Sequence, residues 1–286
     1  MTRNTIYMEE AIVVSQKSFA GDQHILRVYA PKCASDATPG SFVHLTCDKT
    51  ISMRRPLSIM RTNKEKGWID FLYKPVGAGL TSLKYRIKGD TLSMLGPIGN
   101  GFKPDPNRPL ILAIGGGVGI PPMIFLAESL LKDDRFKVLV LMGSEVPFPF
   151  DLSDAVISVP GMPPSSTHSF DLLEGWGIPS RAASKADYEG CFNGFVPELA
   201  SIWLKNLSVD ERKKVQLMGC GPTAMLRATA DLAKDFDLPC QLALEEFMAC
   251  GVGGCAGCTV LLNTAEGPTM KRVCVDGPVF DAYQLY

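Results

Sequence analysis

The sequence predicts a multidomain chain of mixed β and α/β class: an antiparallel β-barrel, an α/β domain on a parallel sheet, and a small C-terminal unit. Three observations carry this. Short β-rich runs fill the first hundred residues, two apolar runs each break into a glycine turn and a helical stretch, and four of nine cysteines crowd into residues 250–274. At 286 residues the chain also exceeds what one hydrophobic core usually organises. The expected segments are 1–104, 105–238 and 239–286.

In the first segment the runs Ala11–Val14, His24–Tyr29, Ser41–Leu45, Trp68–Tyr73 and Thr91–Leu95 are separated by Gly, Pro and Asn. That spacing suits an antiparallel barrel. Lys103–Pro109, with three prolines in seven residues, marks the boundary. Beyond it, Leu110–Ile114 is an apolar strand, Gly115–Gly119 a glycine turn, Pro121–Lys132 a helix and Lys137–Met142 a second buried strand, together a βαβ unit. Val215–Met218 followed by Gly219-Cys220-Gly221-Pro222 and the helical stretch Thr223–Asp235 repeats the pattern. Residues 145–189 show no clear period, and the Pro/Ser-rich part from Val159 to Phe170 reads as a surface loop or insertion. The last segment is too short for a large core of its own, and a metal centre is the usual remedy.

Hydrophobic residues make up 46% and charged residues 21%, with a formal net charge of -1. This provides no strong field for nucleic acid or an anionic membrane. No run reaches the roughly 18 apolar residues of a membrane span, and the start of the chain lacks a signal-peptide core, so a cytoplasmic protein is expected. In that compartment clustered cysteines speak for metal or redox chemistry rather than disulfides. Cys33, Cys47, Cys191 and Cys240 are scattered, and are expected to be buried small hydrophobes.

Cys250, Cys255, Cys258 and Cys274 are spaced C-x4-C-x2-C-x15-C. A plant-type [2Fe–2S] centre uses a C-x4-C-x2-C loop with a distant fourth cysteine. Glycines at 251, 253, 254 and 257 let such a loop turn tightly and aim N–H groups at sulfur. Structural zinc is the main alternative, but it favours two separated Cys or His pairs, and all three histidines lie before residue 169.

Other segments suit phosphate and nucleotide. Arg55-Pro56-Leu57-Ser58 falls in an expected barrel strand, where Arg can grip a pyrophosphate and Ser can bond ribityl or flavin atoms. An exposed arginine beside a turn is the plainer alternative. Leu72-Tyr73-Lys74 ends a strand, and Gly77-Ala78-Gly79-Leu80-Thr81 opens a helix whose N–H groups face outward. The run Gly115-Gly116-Gly117-Val118-Gly119-Ile120-Pro121 does not match G-x-G-x-x-G. It still puts bare backbone at the carboxyl end of a parallel sheet, as does Cys220-Gly221-Pro222. Ordinary βα turn chemistry would produce both.

Taken in order, RPLS, LYK, GAGLT, GGGVGIPP, GCGP-TAML, LEEFMACGVGGCAGCTV and VCVDGPVF resemble the iron–sulfur electron-transfer subunits of class 1B dihydroorotate dehydrogenase, in the ferredoxin reductase superfamily. The resemblance spans nearly the whole chain and is most specific over Leu244–Val260 and Val273–Phe280. It implies FAD on Arg55, Pro56, Leu57, Ser58, Leu72, Tyr73, Lys74 and Gly79 with Leu80 or Thr81. NAD would lie against Gly116, Gly117, Gly119, Ile120, Cys220, Gly221 and Pro222, and the four cysteines would hold the cluster. The implied partner is an FMN-containing catalytic subunit that oxidises dihydroorotate to orotate in pyrimidine synthesis, in a two-plus-two heterotetramer. The implied activity is a relay between that FMN and NAD+, with a flavin between the two-electron nicotinamide and the one-electron cluster.

The chain departs from the family pattern in three places. Leu80 follows Gly79 where the pattern has threonine, Lys185–Gly194 replaces a stretch rich in Thr, Asp and Gly, and residues 145–180 are longer than the family needs. Two other readings are open: a related subunit serving a hydrogenase, a sulfide-linked enzyme or a ferredoxin:NADP transhydrogenase, and a non-enzymatic regulator on the same fold. After the second parallel strand, Glu145 suits an adenosine ribose, and no Arg or Lys lies between Phe148 and Leu173 to draw a 2′-phosphate. NAD(H) is therefore expected over NADP(H).

Overall fold

The computed structural model describes residues 6–286. The first five residues lie outside the described residues. Two compact units emerge, one of Met1–Gly101 with Leu244–Val279, the other of Phe102–Ala243 with Phe280–Tyr286.

The first unit contains a closed six-stranded barrel of β1 (Tyr7–Phe19), β2 (Gln23–Tyr29), β3 (Phe42–Leu45), β4 (Arg55–Asn63), β5 (Trp68–Tyr73) and β6 (Thr91–Ile98), in the order β1-β2-β5-β4-β3-β6. All its pairings are antiparallel. Alternation explains the strands: Ala11 and Val13 of β1, and Leu26 and Val28 of β2, are buried while Ile12, Val14 and Tyr29 face out. Closure then buries Leu45, Ile59, Ile69, Phe71, Met94 and Ile98 almost completely, each contributing roughly 1.5–3 kcal/mol. One ion pair is built into the wall, where Arg27 donates to both oxygens of buried Asp70 at 2.6 and 2.7 Å. The short helix Gly77–Leu83 follows β5.

In the second unit β7 (Leu110–Gly116) and β8 (Lys137–Gly143) form the expected parallel pair, with Leu112 opposite Leu139. The helix between them, Ile120–Ser129, buries every residue from Ile120 to Ala127. Its two prolines sit in the first turn, where no N–H is needed. The 145–189 stretch, which showed no clear period, contains β9 (Leu152–Asp154) paired antiparallel with β10 (His168–Phe170), then β11 (Ser180–Ser184), so the end of the expected loop at 159–170 is a strand. Three-residue strands have no readable period. They are held by side chains: buried Arg181 donates to the carbonyls of Ser166, Ser180 and Ile157, and Glu174 accepts from the N–H groups of Val156 and Ile157.

The remaining strands are β12 (Phe192–Asn193), β13 (Val215–Cys220), β14 (Cys240–Ala243), β15 (Thr259–Thr264), β16 (Gly267–Arg272) and β17 (Val279–Asp281). The large sheet runs β12-β11-β8-β7-β13-β14-β17. The proline-rich segment at 103–109 is not loose, because Gln241 and buried Gln216 bond the backbone of Lys103 and Asp105 on both N–H and carbonyl. The helix Thr223–Asp235 matches its expected span. β15 and β16 make an antiparallel hairpin that belongs to the barrel unit. Asn100 Nδ2 donates to the carbonyls of Val275 and Asp276, and Asn100 N–H to that of Gly277, which ties this stretch to the end of the barrel wall. Among the described residues no helix is long and apolar enough to cross a membrane.

Candidate functional site

The fifteen residues between Cys258 and Cys274 are the β15–β16 hairpin with its flanks, which explains how so distant a pair can meet. Thr259 lies opposite Arg272 at the hairpin base, and Val273 N–H donates to the Cys258 carbonyl at 2.9 Å. The two sulfurs come to 3.3 Å, both buried. Cys250 and Cys255 form a second pair on the loop, the former half-buried and the latter exposed. Val252 and Cys255 N–H groups donate to Cys250 Sγ at 3.5 and 3.4 Å, and Gly257 N–H donates to Cys255 Sγ at 3.4 Å.

Electrostatics separate the pairs. Burial opposes ionisation of Cys250, but N–H donation from Cys255 and Val252, with the neighbouring Cys255 thiol, outweighs it and brings the thiol down to about 6. Burial pushes Cys274 up to about 12, and adjacent Cys258 adds to the effect. Among the described residues no three His, Cys, Asp or Glu side chains gather closely enough for a single metal ion. Two sulfur pairs suit a two-iron centre, one pair to each iron, better than the single tetrahedron of structural zinc.

The barrel candidates converge in part. A Cβ on Gly79 would lie 2.9 Å from Arg55 Nε, so this glycine in the first turn of the short helix sits directly against the guanidinium. Arg55 Nη1 is tied to the Met53 and Arg54 carbonyls at 2.8 and 3.2 Å. This aims the fork and suits a pyrophosphate laid along bare backbone. Pro56, Ser58, Lys74, Leu80 and Thr81 are half-exposed around it, whereas Leu57, Leu72 and Tyr73 are buried in the barrel. The Tyr73 hydroxyl already donates to Gln16 Oε1 at 2.9 Å, and its ring stacks on His24. These three side chains are thus engaged by the protein.

The second unit brings its own candidates together. β7 and β13 are parallel neighbours with Cys220 opposite Gly115, so both turns leave the same end of the sheet. A Cβ on Gly119 would collide with the Cys220–Gly221 backbone, and one on Gly221 would lie 3.2 Å from Gly116 N. Gly117, at φ +54°, faces open space and Ile120 is buried. Pro222 is exposed while the Cys220 side chain is buried. The turns therefore offer backbone to a ligand, although close packing alone already requires glycine at 119.

Three residues escaped the sequence reading. Arg272, two positions before Cys274, donates to the Gly253 carbonyl at 3.1 Å and pins the cysteine loop to the hairpin. His44 lies under the same loop. Lys185 follows β11 at the same end of the sheet as Glu145 after β8, because β11 pairs with β8, Ala183 opposite Gly143. Lys185 is far from Glu145 along the chain and is brought to that end only by strand pairing. Lys185 Nζ sits 4.2 Å from the centre of the exposed Phe195 ring. The four scattered cysteines are buried as expected, and burial raises their thiol pKa values, that of Cys47 to about 11.

Comparison with known proteins agrees with this geometry. Residues 245–286 match the model of the iron-sulfur cluster binding domain of dihydroorotate dehydrogenase B. The dihydroorotate dehydrogenase B (NAD(+)) electron transfer subunit of Desulforamulus reducens is 31% identical, over 96% of this chain and 97% of that protein. Its counterpart in Bacillus cereus strain G9842 is 30% identical, over 95% and 96%. Among solved structures, the NADH-dependent reduced ferredoxin-NADP oxidoreductase superposes with a TM-score of 0.77 at 25% identity, covering 97% of this chain and 90% of that one. Phthalate dioxygenase reductase shares the fold, with a TM-score of 0.58 at 14% identity over 93% and 76%. The two sulfur pairs, the barrel, the parallel sheet and full-length relatives at this identity agree: the chain belongs to the family of electron transfer subunits of dihydroorotate dehydrogenase B (NAD(+)).

Proposed function

We propose that this electron transfer subunit relays electrons between the FMN of its catalytic partner, where dihydroorotate becomes orotate, and NAD+. The route runs through a [2Fe–2S] cluster on Cys250, Cys255, Cys258 and Cys274 and through FAD at the barrel. The two sulfur pairs, one closed by the hairpin at 3.3 Å, are the observation that carries the reading. When bound, the flavin supplies the exchange between two-electron and one-electron transfer. The chain's residues bind and orient: Arg55 with Gly79 for the FAD pyrophosphate, Ser58, Lys74, Leu80 and Thr81 around it with the backbone of Pro56, Leu57, Leu72 and Tyr73. The turns Gly116–Ile120 and Cys220–Pro222 receive the nicotinamide nucleotide.

Residues 1–104, 105–238 and 239–286 then act as flavin, nucleotide and cluster segments, in a two-plus-two complex in the cytoplasm. The exposed side chains Phe247 and Val252 beside the outer pair support an apolar contact with the partner. Metal analysis tests the core of this reading. The purified chain should hold iron and acid-labile sulfide in equal amounts and give a rhombic electron paramagnetic resonance signal on reduction, whereas stoichiometric zinc without sulfide would end the proposal. Likeness to the ferredoxin-NADP oxidoreductase favours, as a second reading, a related subunit serving a different oxidoreductase. The identity of the co-purifying partner separates the two.

A further inference from the structure

His44 lies in β3, opposite Pro56 of β4 on one side and Leu95 of β6 on the other. Its register therefore places it on the strand next to the Arg55–Ser58 segment. It is fully buried, and neither ring nitrogen has a hydrogen-bond partner in the protein. Directly against it runs the cysteine loop. A Cβ on Gly251 would come within 2.9 Å of His44 Nδ1, and Gly251 holds φ +68°, so only glycine lets the loop lie this close to the imidazole.

An imidazole carries at least one N–H in every protonation state, and leaving it unpaired in the interior costs about 1–3 kcal/mol. Buried polar groups in native proteins nearly always find a partner. The nearest backbone groups are those of Met248 and Arg54, and neither meets hydrogen-bond geometry with the ring. Arg54 does not serve the ring: its guanidinium donates to the His44 and Ser93 carbonyls. The loop packed against the ring is where a partner for its N–H would lie.

We propose that His44 is a positioning residue for the Cys250 end of the cluster, its ring N–H donating a hydrogen bond to a sulfur there. The inference rests on the cluster reading of the four cysteines. Hydrogen bonds to sulfur stabilise the more negative, reduced state and raise the potential. The same ring spans from the flavin-side strand to the loop, so it sets the potential of the cluster where electrons pass between the two.

The test uses the full chain purified without oxygen, labelled with 15N-histidine and reduced with dithionite. Pulsed electron paramagnetic resonance should show weak histidine nitrogen coupling on the reduced cluster, lost in His44→Phe. In that variant the ratio of oxidised to reduced cluster at the wild-type midpoint should rise about tenfold, a fall of about 59 mV for one electron. His44→Gln, which keeps an N–H donor, should recover most of the shift. Absence of histidine coupling in the wild-type protein overturns the proposal whatever the variants do. So does a cluster-loaded His44→Phe with an unchanged midpoint, or one that loses FAD while the midpoint stays. If His44→Phe does not hold the cluster, wild-type coupling that disappears in a loaded His44→Gln variant without a midpoint shift still supports a hydrogen bond met by either donor. A chain with zinc and no reduced-cluster signal sinks the cluster reading itself, and is told apart from these by its metal content.

Discussion

Arg55 and Gly79 show how a single contact can turn two weak signals into a candidate site. Neither residue is distinctive alone, yet the guanidinium lies where a Gly79 side chain would go. With Nη1 held by two carbonyls, the fork is oriented before any ligand arrives, which lowers the ordering cost of binding. Arg55→Ala should weaken FAD retention by about 1.5–3 kcal/mol, the scale of a charge-assisted hydrogen bond. Flavin absorbance after exhaustive dialysis checks this, and an unchanged FAD content would reduce Arg55 to a surface charge.

The β15–β16 hairpin has a similar role among the elements. Its base brings Cys258 and Cys274 together, while Arg272 and the Val273 N–H lock the base to the loop. Leu262 and Val273 are buried, but the hairpin strands otherwise expose Leu261 and Met270, so the hairpin has little apolar packing of its own. Cys258→Ser should abolish the cluster and release the stretch from 244 to 279 while leaving the barrel folded, because metal binding and local folding are coupled. Hydrogen exchange should show protection lost in the hairpin amides and kept in β2 and β5. Loss of protection throughout both would contradict this.

At the paired ends of β8 and β11, Glu145 and Lys185 would act in opposite senses on a nucleotide bound there. The expected preference for NAD(H) rests on the carboxylate, and the lysine works against it. Glu145→Gln should narrow the preference and Lys185→Ala widen it, each by roughly two- to fivefold, since exposed charge pairs contribute about 0.2–1 kcal/mol. The ratio of kcat/KM for NADH and NADPH with an artificial acceptor measures both. A wild-type ratio favouring NADPH would reverse the assignment of Glu145.

For the whole molecule, membership of the family of electron transfer subunits implies a catalytic partner. Native mass spectrometry of the complex from its host should show two copies of this chain with two of an FMN protein. A one-plus-one mass would correct the stoichiometry, and a partner lacking dihydroorotate oxidation would favour the second reading of function. The net charge of -1 provides little long-range steering. Association should therefore depend weakly on ionic strength and strongly on apolar contacts such as Phe247.

Local chemistry written in short spans was legible from the amino acids alone. The spacing of Cys250, Cys255, Cys258 and Cys274 specifies a loop with a distant fourth ligand, and the apolar run at 110–114 with its glycines specifies a buried strand and turn. The helix at 223–235 was legible as the stretch that follows an apolar strand and a glycine turn, and it buries Leu226, Ala230 and Ala233. Two kinds of feature were not legible. The 152–184 region is held by Arg181 and Glu174 binding backbone groups far along the chain, and side-chain-to-backbone bonds leave no period to read. His44, Arg272 and Lys185 gain their places from strand pairing: β3 against β4, the hairpin fold-back, and β11 against β8. Periodicity and spacing act between near neighbours and so survive in one dimension, whereas register between distant strands is chosen by burial of the whole set, and only the folded chain decides it.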